Sequence, residues 1–561
     1  MAKQSKTVKT PEAAIPTSEK KFTISYPVLW LALAVILLYA GVTNFGFTEL
    51  DDSIFIRDFQ QYNENISNLA TSFHRGVFDA ANDTYYRPLF LDSMLLNYQL
   101  SEQSPIGYHV VNLLFHLLSV TLLYQLFRRL SIKQWQAFAL TLLFAVHPVL
   151  AQAVAWIPGR NDTMLAIFLL SFWITALNYT ETGKIKWLAL SILALLLAFF
   201  TKETAVFGAP VAFVLLVMWQ RKNWLDKKLL IQYGSWITVF LIWLGVRSAA
   251  TLKSSPLAVS QIAHDFFGRL PLIVQYIGKI FLPFNLSVFP VIEDTVYYYG
   301  IAAIVLLALI IFLTKNKDAR KIAAGLTVFA LMLLPVLIVP KSLNEQTFEH
   351  RLYLPVIGIL MIIPQTILMK NNWNEKKVFY GFLAVAVVFC ALNYRQQQFF
   401  SDPLTFWKEA QRSSPHSAYA TMMYGARMED PAEGAKMFRK AYTLNPKEKY
   451  LNYYYGVMLQ KEDSVLQSEP YLLAEKKISN YYECDFYLAR VAMEKKDMPG
   501  AISYLEHYIV RDPNNPQANN NLLLLYLDTR QKAKADAQVK HMTEMGMAVP
   551  AEITTRIGQM N

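Results

Sequence analysis

Phe47-Thr-Glu-Leu-Asp-Asp-Ser-Ile-Phe-Ile56 sets two adjacent carboxylates, Asp51 and Asp52, directly after the first long apolar run of the chain. That run covers residues 27–45 and is long enough to cross the hydrocarbon core of a bilayer. The chain then stays polar to about residue 105, where a second apolar run begins. We interpret residues 47–105 as an outer loop whose acidic pair is either part of an active site or only a solvated helix end.

The composition predicts a polytopic membrane protein. The 561 residues are 54% hydrophobic and carry a formal net charge of +11. The excess of lysine and arginine lies mainly in loops between apolar runs, where it reports topology. No basic stripe carries base-reading or stacking motifs, so we expect membrane lipids and no nucleic acid as partners. The two cysteines, Cys390 and Cys484, predict neither a disulfide nor a CxxC metal site.

Basic residues fix the expected orientation of the spans. Residues 1–26 form a basic tail without a convincing cleavage site, which predicts a retained anchor with a cytoplasmic N-terminus. Asp51 and Asp52 then emerge on the outer side, and later basic loops alternate consistently with that choice. The expected spans are residues 27–45, 106–127, 134–151, 163–180, 187–200, 205–219, 229–247, 297–314, 321–339, 352–369 and 377–393.

Residues 256–290 interrupt this alternation. A full span there would invert everything downstream, whereas the basic residues at 315–321 put the end of the following span inside. Four prolines break the segment. We therefore expect an interfacial or re-entrant helix, whose backbone must be satisfied by protein or water. The prediction is an all-α membrane domain of about eleven spans over residues 27–395, with the C-terminal region outside.

The C-terminal region, residues 396–561, is polar and helical in pattern. One spacing recurs in it: Trp407, Ala410 and Pro415, then Phe438, Ala441 and Pro446, then Leu505, Tyr508 and Pro513. This is the second-helix pattern of a tetratricopeptide repeat (TPR). We expect a short TPR-like solenoid on the outer side, with generic helical hairpins as the alternative. Either arrangement makes a concave surface that fits a protein or peptide.

Ionisable side chains gather at the outer ends of the expected spans. Each alone is a weak signal, because a lone histidine in a span is usually a satisfied core group and a lone arginine a headgroup contact. Their co-location argues for function, since charges at membrane depth are expensive. Besides Asp51 and Asp52 the set is Arg87, His109, His116, His147, Arg160, Asp162, Lys202, Glu203, Glu349, His350 and Arg351.

This mixture of carboxylates, imidazoles and cations suits one chemistry. A sugar linked through phosphate to a lipid already has a fair leaving group, and cations would stabilise the charge that grows on it. An aspartate would take the proton of the acceptor hydroxyl. A groove between spans would hold the lipid tail.

The motifs and their order resemble a known family. Asp51-Asp52, Tyr86-Arg-Pro-Leu89, His109 to His116, His147-Pro148 with Gly159-Arg-Asn-Asp162, Lys202-Glu203 and Glu349-His-Arg-Leu-Tyr-Leu-Pro355 occur in this sequence. Together they resemble the transmembrane-and-TPR-containing O-mannosyltransferases and their bacterial relatives, of the GT-C glycosyltransferase superfamily. The resemblance covers about residues 40–450. The solenoid is shorter than that of the animal proteins, which favours a bacterial member.

The resemblance implies roles for the polar residues. Asp52 would be the catalytic base, with Asp51 as the second choice. Arg160, Lys202, His350, Arg351 and Arg87 would bind the donor phosphate, supported by the remaining polar residues. No cofactor is predicted, and a need for a divalent metal (Mg or Mn) is left open.

The expected activity is transfer of a sugar from a polyprenyl-phosphate carrier to Ser or Thr of exported proteins, in the periplasm, or in the ER lumen for a eukaryotic member. A lipid or polysaccharide acceptor and a non-enzymatic membrane scaffold remain as alternatives.

Overall fold

The protein is described from a computed structural model, in which residues 22–78, 85–251, 259–339, 346–370 and 373–559 are described. These residues are 77% helical and contain no strand, which confirms the all-α class. Most of the basic tail expected over residues 1–26 lies outside the described residues, as do short parts of the loop 47–105 and of the segment 256–290.

Within the described residues, eighteen α-helices precede the solenoid. They are α1 Pro27–Tyr39, α2 Gln60–Glu64, α3 Asn68–Thr71, α4 Pro88–Ser101, α5 Pro105–Arg129, α6 Gln134–Ala145, α7 Ala151–Ala155, α8 Arg160–Thr182, α9 Ile185–Thr201, α10 Gly208–Phe213, α11 Lys227–Ala250, α12 Val259–Arg269, α13 Leu272–Phe281, α14 Tyr298–Phe312, α15 Ala319–Ile338, α16 Pro355–Ile362, α17 Ile367–Lys370 and α18 Glu375–Gln398.

Six helical stretches among the described residues are long and apolar enough to cross a membrane, or seven if the bent pair α6 and Pro148–Ala155 is one span. Four shorter apolar stretches accompany them: Ile185–Thr201, Glu203–Trp219, Tyr298–Phe312 and Pro355–Gln365. Each of the eleven expected spans coincides with one of these stretches. The chain is therefore a multi-pass membrane protein.

The segment expected to be interfacial or re-entrant contains two short helices. α12 has 11 residues and α13 has 10, and neither is long enough to span alone. α13 packs closely on α14, because a Cβ on Gly278 would lie 2.6 Å from the amide nitrogen of Gly300. The segment thus lies against protein, which supplies the surroundings that a short membrane helix needs.

Basic loops meet at the end of the helical bundle that lies opposite Asp51. Three exposed ion pairs tie these loops together: Lys133 with Glu375 at 2.7 Å, Arg221 with Asp318 at 3.0 Å, and Arg129 with Glu181 at 3.4 Å. Exposed pairs of this kind contribute little stability, typically about 0–1 kcal/mol. The three pairs bear on the topology, because they show that the basic loops lie together at one end of the bundle.

The solenoid is a stack of antiparallel helices. It consists of α19 Pro403–Ser413, α20 Ala418–Gly425, α21 Pro431–Leu444, α22 Leu451–Lys461, α23 Val465–Ser479, α24 Glu483–Glu494, α25 Met498–Ile509, α26 Pro516–Asp528, α27 Lys532–Glu544 and α28 Ala551–Gly558. The three repeat patterns lie on α19, α21 and α25. Two hairpins, α22–α23 and α24–α25, fill the interval between Pro446 and Pro513.

The first solenoid helices share the core of the membrane part. Trp407 of α19 is fully buried and packs on Phe289, with ring centroids 5.5 Å apart. Buried residues of this common core continue to Met458 in α22. The helices from α24 onward bury their apolar side chains in separate clusters. Residue 395 is therefore a change in composition and does not mark a break in packing.

Candidate active site

The acidic pair lies on a loop that is hydrogen-bonded to the start of the solenoid. Gly46 donates its backbone N–H to Ser401 at 2.7 Å, and the Trp407 indole donates to the Thr48 carbonyl at 3.1 Å. Glu49, directly after Thr48, adopts a left-handed backbone conformation with φ 55°. Its carboxylate accepts from Arg57 at 3.2 Å and from Arg427 of the solenoid at 2.9 Å.

The two neighbouring carboxylates face different surroundings. Asp52 is buried and accepts hydrogen bonds from the Thr48 N–H and hydroxyl, at 2.6 and 2.9 Å, and from the N–H groups of Leu50 and Ser53. Asp52 therefore closes its own loop. Asp51 is half-buried and lines a large cavity, and its carboxylate has no hydrogen bond within the described part of the chain.

The expectation that Asp52 is the base is revised on this geometry, because a carboxylate with four loop donors has no oxygen left for a substrate. Asp51 is the better candidate. Burial and the charge of Asp52 raise the pKa of Asp51 to about 7, and Arg87 opposes both. Its charge therefore changes near neutral pH.

The cavity measures about 1010 Å³ and lies between the ends of the membrane helices and the first solenoid helices. Seven of the residues expected at the site line it: Asp51, Arg87, Asp162, Lys202, Glu203, His350 and Arg351. On the membrane side its wall is apolar and includes residues of α15 near Pro335 and Val336, with Phe207. On the other side it reaches Tyr419 and Lys449 of the solenoid.

Two ion pairs hold cations at the cavity wall. The Lys202 ammonium donates to both oxygens of Asp162, at 2.7 and 2.8 Å, where α9 ends and the backbone of Lys202 becomes extended. Arg87 donates to Glu203 at 2.9 Å, and the other oxygen of Glu203 accepts the Tyr86 N–H at 2.7 Å. Burial lowers the pKa of Lys202, and Arg87 and Arg351 add to the effect while Asp162 opposes it.

Arg351 differs from these two cations. Its guanidinium donates to the Gln346 carbonyl at 2.9 Å and lies over the Phe348 ring at 5.6 Å. No carboxylate of the described ranges lies within ion-pair distance of it. No ion pair among the described residues therefore balances its charge, which favours an anionic ligand.

His350 lies between two aromatic rings beside this cluster. Its ring centroid is 5.2 Å from Phe348 and 5.5 Å from Trp156. Burial, together with Lys202, Arg351 and Arg87, holds the pKa of His350 well below its usual value, so the imidazole is neutral. Its Nδ1 and the side-chain oxygen of Asn161 are buried without hydrogen-bond partners in the described residues. Both residues line the cavity, and such atoms need a ligand or water.

Arg160 is not at the cavity, contrary to its expected role in phosphate binding. It is fully buried and donates to Asn112 at 2.9 Å, to Asn97 at 3.0 Å, and to the backbone carbonyls of Ser93 and Tyr108. These partners belong to α4 and α5. Arg160 therefore joins three helices beneath the site, and its neighbours Asn161 and Asp162 reach the cavity instead.

The remaining polar residues of the expected cluster act within the protein. His116 contacts the Tyr353 hydroxyl at 2.7 Å and the Ala145 carbonyl at 3.0 Å. His147 contacts the Ile280 carbonyl at 2.9 Å, and His109 the Gly46 carbonyl at 3.4 Å. Glu349 is buried, pairs with Lys279 at 2.6 Å and accepts the Ser287 N–H at 2.7 Å. None of the four lines the cavity, so they support its walls.

Several cavity residues were not identified from the sequence. His416, Tyr419 and Lys449 come from the solenoid, and Trp156 and Gln346 come from connecting segments. The only sequence signal near them is Pro415 and Pro446, which end two repeat patterns. Trp407 was recognised as a repeat residue, but its contact with the acidic loop has no local signature.

The described side chains give little support to a metal site. Within the described ranges, no three His, Cys, Asp or Glu side chains are grouped so that they would hold a metal ion. The question of a divalent metal therefore stays as the sequence left it.

Comparison with known proteins adds a family to this geometry. The family described as dolichyl-phosphate-mannose-protein mannosyltransferase matches residues 93–246. This stretch carries Asp162, Lys202 and Glu203, whereas Asp51 and Arg351 lie outside it.

Curated relatives match about a quarter of the chain. The protein O-mannosyl-transferase F38B6.6 of Caenorhabditis elegans is 36% identical over 25% of this chain and 20% of its own length. Human TMTC3 is 33% identical over 22% and 13%, and mouse TMTC4 is 35% identical over 24% and 21%, both being protein O-mannosyl-transferases. The chain spans about a fifth or less of the length of these relatives. The resemblance is thus confirmed for this part of the molecule, where the chain is similar to protein O-mannosyltransferases.

Proposed function

We propose that this chain is a GT-C glycosyltransferase that moves a sugar from a polyprenyl-phosphate carrier to a serine or threonine hydroxyl of a protein. One observation carries the proposal. A single cavity joins an uncompensated cation, Arg351, to a half-buried carboxylate of raised pKa, Asp51, and has an apolar wall at the membrane helices. The cation suits an anionic leaving group, the carboxylate suits a hydroxyl acceptor, and the apolar wall suits a lipid tail.

The donor would bind with its phosphate near Arg351, Lys202 and Arg87. No carboxylate of the described residues pairs with Arg351, so its guanidinium would be available to the phosphate. Lys202 and Arg87 are held in place by Asp162 and Glu203, which limits the reorganisation needed on binding. Neutral His350 would donate or accept one further hydrogen bond. The polyprenyl chain would lie along the apolar wall near Pro335 and Val336.

In the reaction, the acceptor oxygen attacks the anomeric carbon while Asp51 takes the hydroxyl proton. The bond from the anomeric carbon to the phosphate oxygen breaks, and the polyprenyl phosphate leaves with an additional negative charge. Attack from the face opposite the leaving group gives inversion at the anomeric carbon. Removal of a positioned general base typically lowers a rate by about 10²–10⁴-fold.

The proposed orientation is supported by the basic loops. They collect at the end opposite Asp51, and such loops favour the cytoplasmic side. The cavity and the solenoid would then face the periplasm in a bacterial inner membrane, or the ER lumen in a eukaryotic cell. This side is where exported proteins present their hydroxyls.

The test is a transfer assay with purified full-length protein, a polyprenyl-phosphate mannose donor and a serine-containing peptide. Asp51→Asn should lower transfer by at least about a hundredfold and leave donor binding intact. Arg351→Ala should also lower transfer, by about 2–4 kcal/mol of barrier, and in addition weaken donor binding. The matched control is Asp58→Asn, an exposed aspartate of the same loop outside the cavity.

Normal transfer by Asp51→Asn would contradict the assignment of the base. Absence of any sugar transfer by the wild type, with every donor tried and despite a folded protein, would favour the scaffold alternative.

A further inference from the structure

The solenoid side of the main cavity is built from the turns that join one repeat to the next. The turn between α19 and α20 contributes residues 416–419, and the turn between α21 and α22 contributes residues 444, 445, 448 and 449. These two turns are equivalent positions in successive repeats. Both turns line the same cavity as Asp51, and the charge of Asp51 reaches Tyr419 at the first of them.

The third equivalent turn lines a second cavity. Residues 479–482, between α23 and α24, enclose a space of about 410 Å³ together with Tyr450, His507 and Arg511. Tyr450 directly follows Lys449, which lines the first cavity and lies over the Tyr450 ring at 4.7 Å. The two cavities therefore lie on either side of one turn. Together they follow the repeat turns outward from Asp51.

The second cavity is aromatic and basic. The rings of Tyr450 and Tyr481 lie edge to face with centroids 4.9 Å apart, and Tyr482 lies next to Tyr481 at 5.7 Å. His507 is bonded to Asp485, a fully buried carboxylate that also pairs with Lys476. Arg511 is exposed, and its guanidinium forms no hydrogen bond or ion pair with other described residues. The cavity thus places one arginine that has no ion pair among the described residues beside three tyrosine rings, and the charges of Glu483 and Asp512 reach Tyr482 at its edge.

We infer that the second cavity is a remote subsite for the acceptor polypeptide, which takes an acidic side chain of that polypeptide at Arg511. The inference rests on the proposed function insofar as the acceptor is a polypeptide. An extended chain reaches both cavities, because it rises about 3.3 Å per residue and neighbouring helices pack about 8–10 Å apart. Each repeat step crosses two helices. One to two steps then correspond to roughly 6–12 residues between the modified hydroxyl and the acidic residue.

The test uses synthetic peptides with one serine and one glutamate, the glutamate being moved through all spacings up to about 15 residues on each side. Binding to the full-length protein is measured by fluorescence anisotropy, and transfer is measured separately. At one range of spacings the glutamate should tighten binding about tenfold and lower KM similarly. Arg511→Ala should abolish that gain. Arg490→Ala, an exposed arginine of α24 that lines neither cavity, should retain it.

Three results would overturn the subsite: no gain at any spacing, an equal gain at every spacing, or a gain that persists in Arg511→Ala. The binding readout needs no sugar transfer, so it tests the subsite even if the proposed reaction is wrong. A serine peptide without glutamate should be used equally well by the wild type and Arg511→Ala. Its complete failure as an acceptor, with the binding gain intact, would contradict the proposed function alone.

Discussion

Helices α19–α22 and helices α24–α28 repeat the same hairpin arrangement, yet they bury their apolar side chains in different cores. Trp407 and Phe438 of the first group belong to the core that continues into the membrane helices. Leu505 and Leu522 of the second group belong to a cluster confined to the solenoid. The first repeats are therefore a structural part of the membrane domain, and only the later ones form an independent appendage.

This difference separates two roles within one solenoid. The first repeats contact the acidic loop directly, through Trp407 to Thr48 and Arg427 to Glu49. They hold the loop that carries Asp51. The later repeats make none of these contacts and present the second cavity. We expect changes in the first group to affect the chemistry itself, and changes in the second to affect acceptor binding.

Two truncations should give the largest difference. A chain that stops after residue 400 loses Trp407 and Tyr419, which are the solenoid rings that pack on Phe289. Burial of one such side chain contributes about 1.5–3 kcal/mol, against a total stability of about 5–15 kcal/mol. We expect this chain to lose donor binding and cooperative unfolding. A chain that stops after residue 480 keeps the shared core and should retain both.

Size-exclusion chromatography in detergent, thermal unfolding and donor-lipid binding check this pair. A chain ending at residue 400 with the wild-type melting temperature would show that the first repeats are as independent as the later ones.

A smaller effect is expected from the loop contacts. Trp407→Phe keeps an aromatic ring in the core, and it removes the hydrogen bond to Thr48 together with part of the ring that lies under Arg427. Small displacements of a reacting group are costly, so we expect kcat to fall about tenfold with donor affinity unchanged. Arg427→Ala should act in the same direction, and Arg427→Lys should restore part of the rate.

The matched control is Tyr526→Phe, which removes one hydrogen bond, to Glu506 at 2.8 Å, within the later repeats. It should leave kcat unchanged. Equal losses for Trp407→Phe and Tyr526→Phe would mean that the first repeats have no special relation to the loop.

The smallest effect concerns stability. Asp51 has a pKa of about 7 in the folded protein, above its ordinary value of 3.8. Its contribution to folding is therefore complete below about pH 4 and is lost as the pH rises through about 7. Asp51→Asn removes that loss, so its melting temperature should exceed that of the wild type by a few degrees at pH 8. The two should converge below about pH 4. Thermal unfolding at both pH values, with Asp536→Asn on the exposed face of α27 as control, measures the difference.

The fold was largely predictable because it depends on long local patterns. Apolar runs and basic loops identify the spans, and a proline-terminated repeat identifies the solenoid. The shared core was not predictable, because Trp407 and Phe289 are far apart in sequence and both are ordinary residues of their local segments. A change of composition at residue 395 suggested a domain boundary, but one hydrophobic core includes residues on both sides of it.

The site was predictable as a set of residues and not in its details. Seven of the expected residues line one cavity, because outer ends of spans converge. The choice between Asp51 and Asp52 depends on the left-handed backbone of Glu49 and on four hydrogen bonds within the loop, which no pattern reveals. Arg160 was expected at the phosphate, but its guanidinium N–H groups donate to residues of α4 and α5 instead. Sequence spacing carries no information about such distant partners.

The most direct test of the central claim is the pH dependence of transfer at saturating donor and peptide. A base must be ionised, and burial and Asp52 raise the pKa of Asp51 to about 7 while Arg87 opposes them. We expect kcat to rise about tenfold per pH unit below pH 7 and to level off above it. The residual rate of Asp51→Asn should be at least about a hundredfold lower at pH 8 and should lack this rise. An unchanged profile in Asp51→Asn would contradict the assignment of Asp51 as the base.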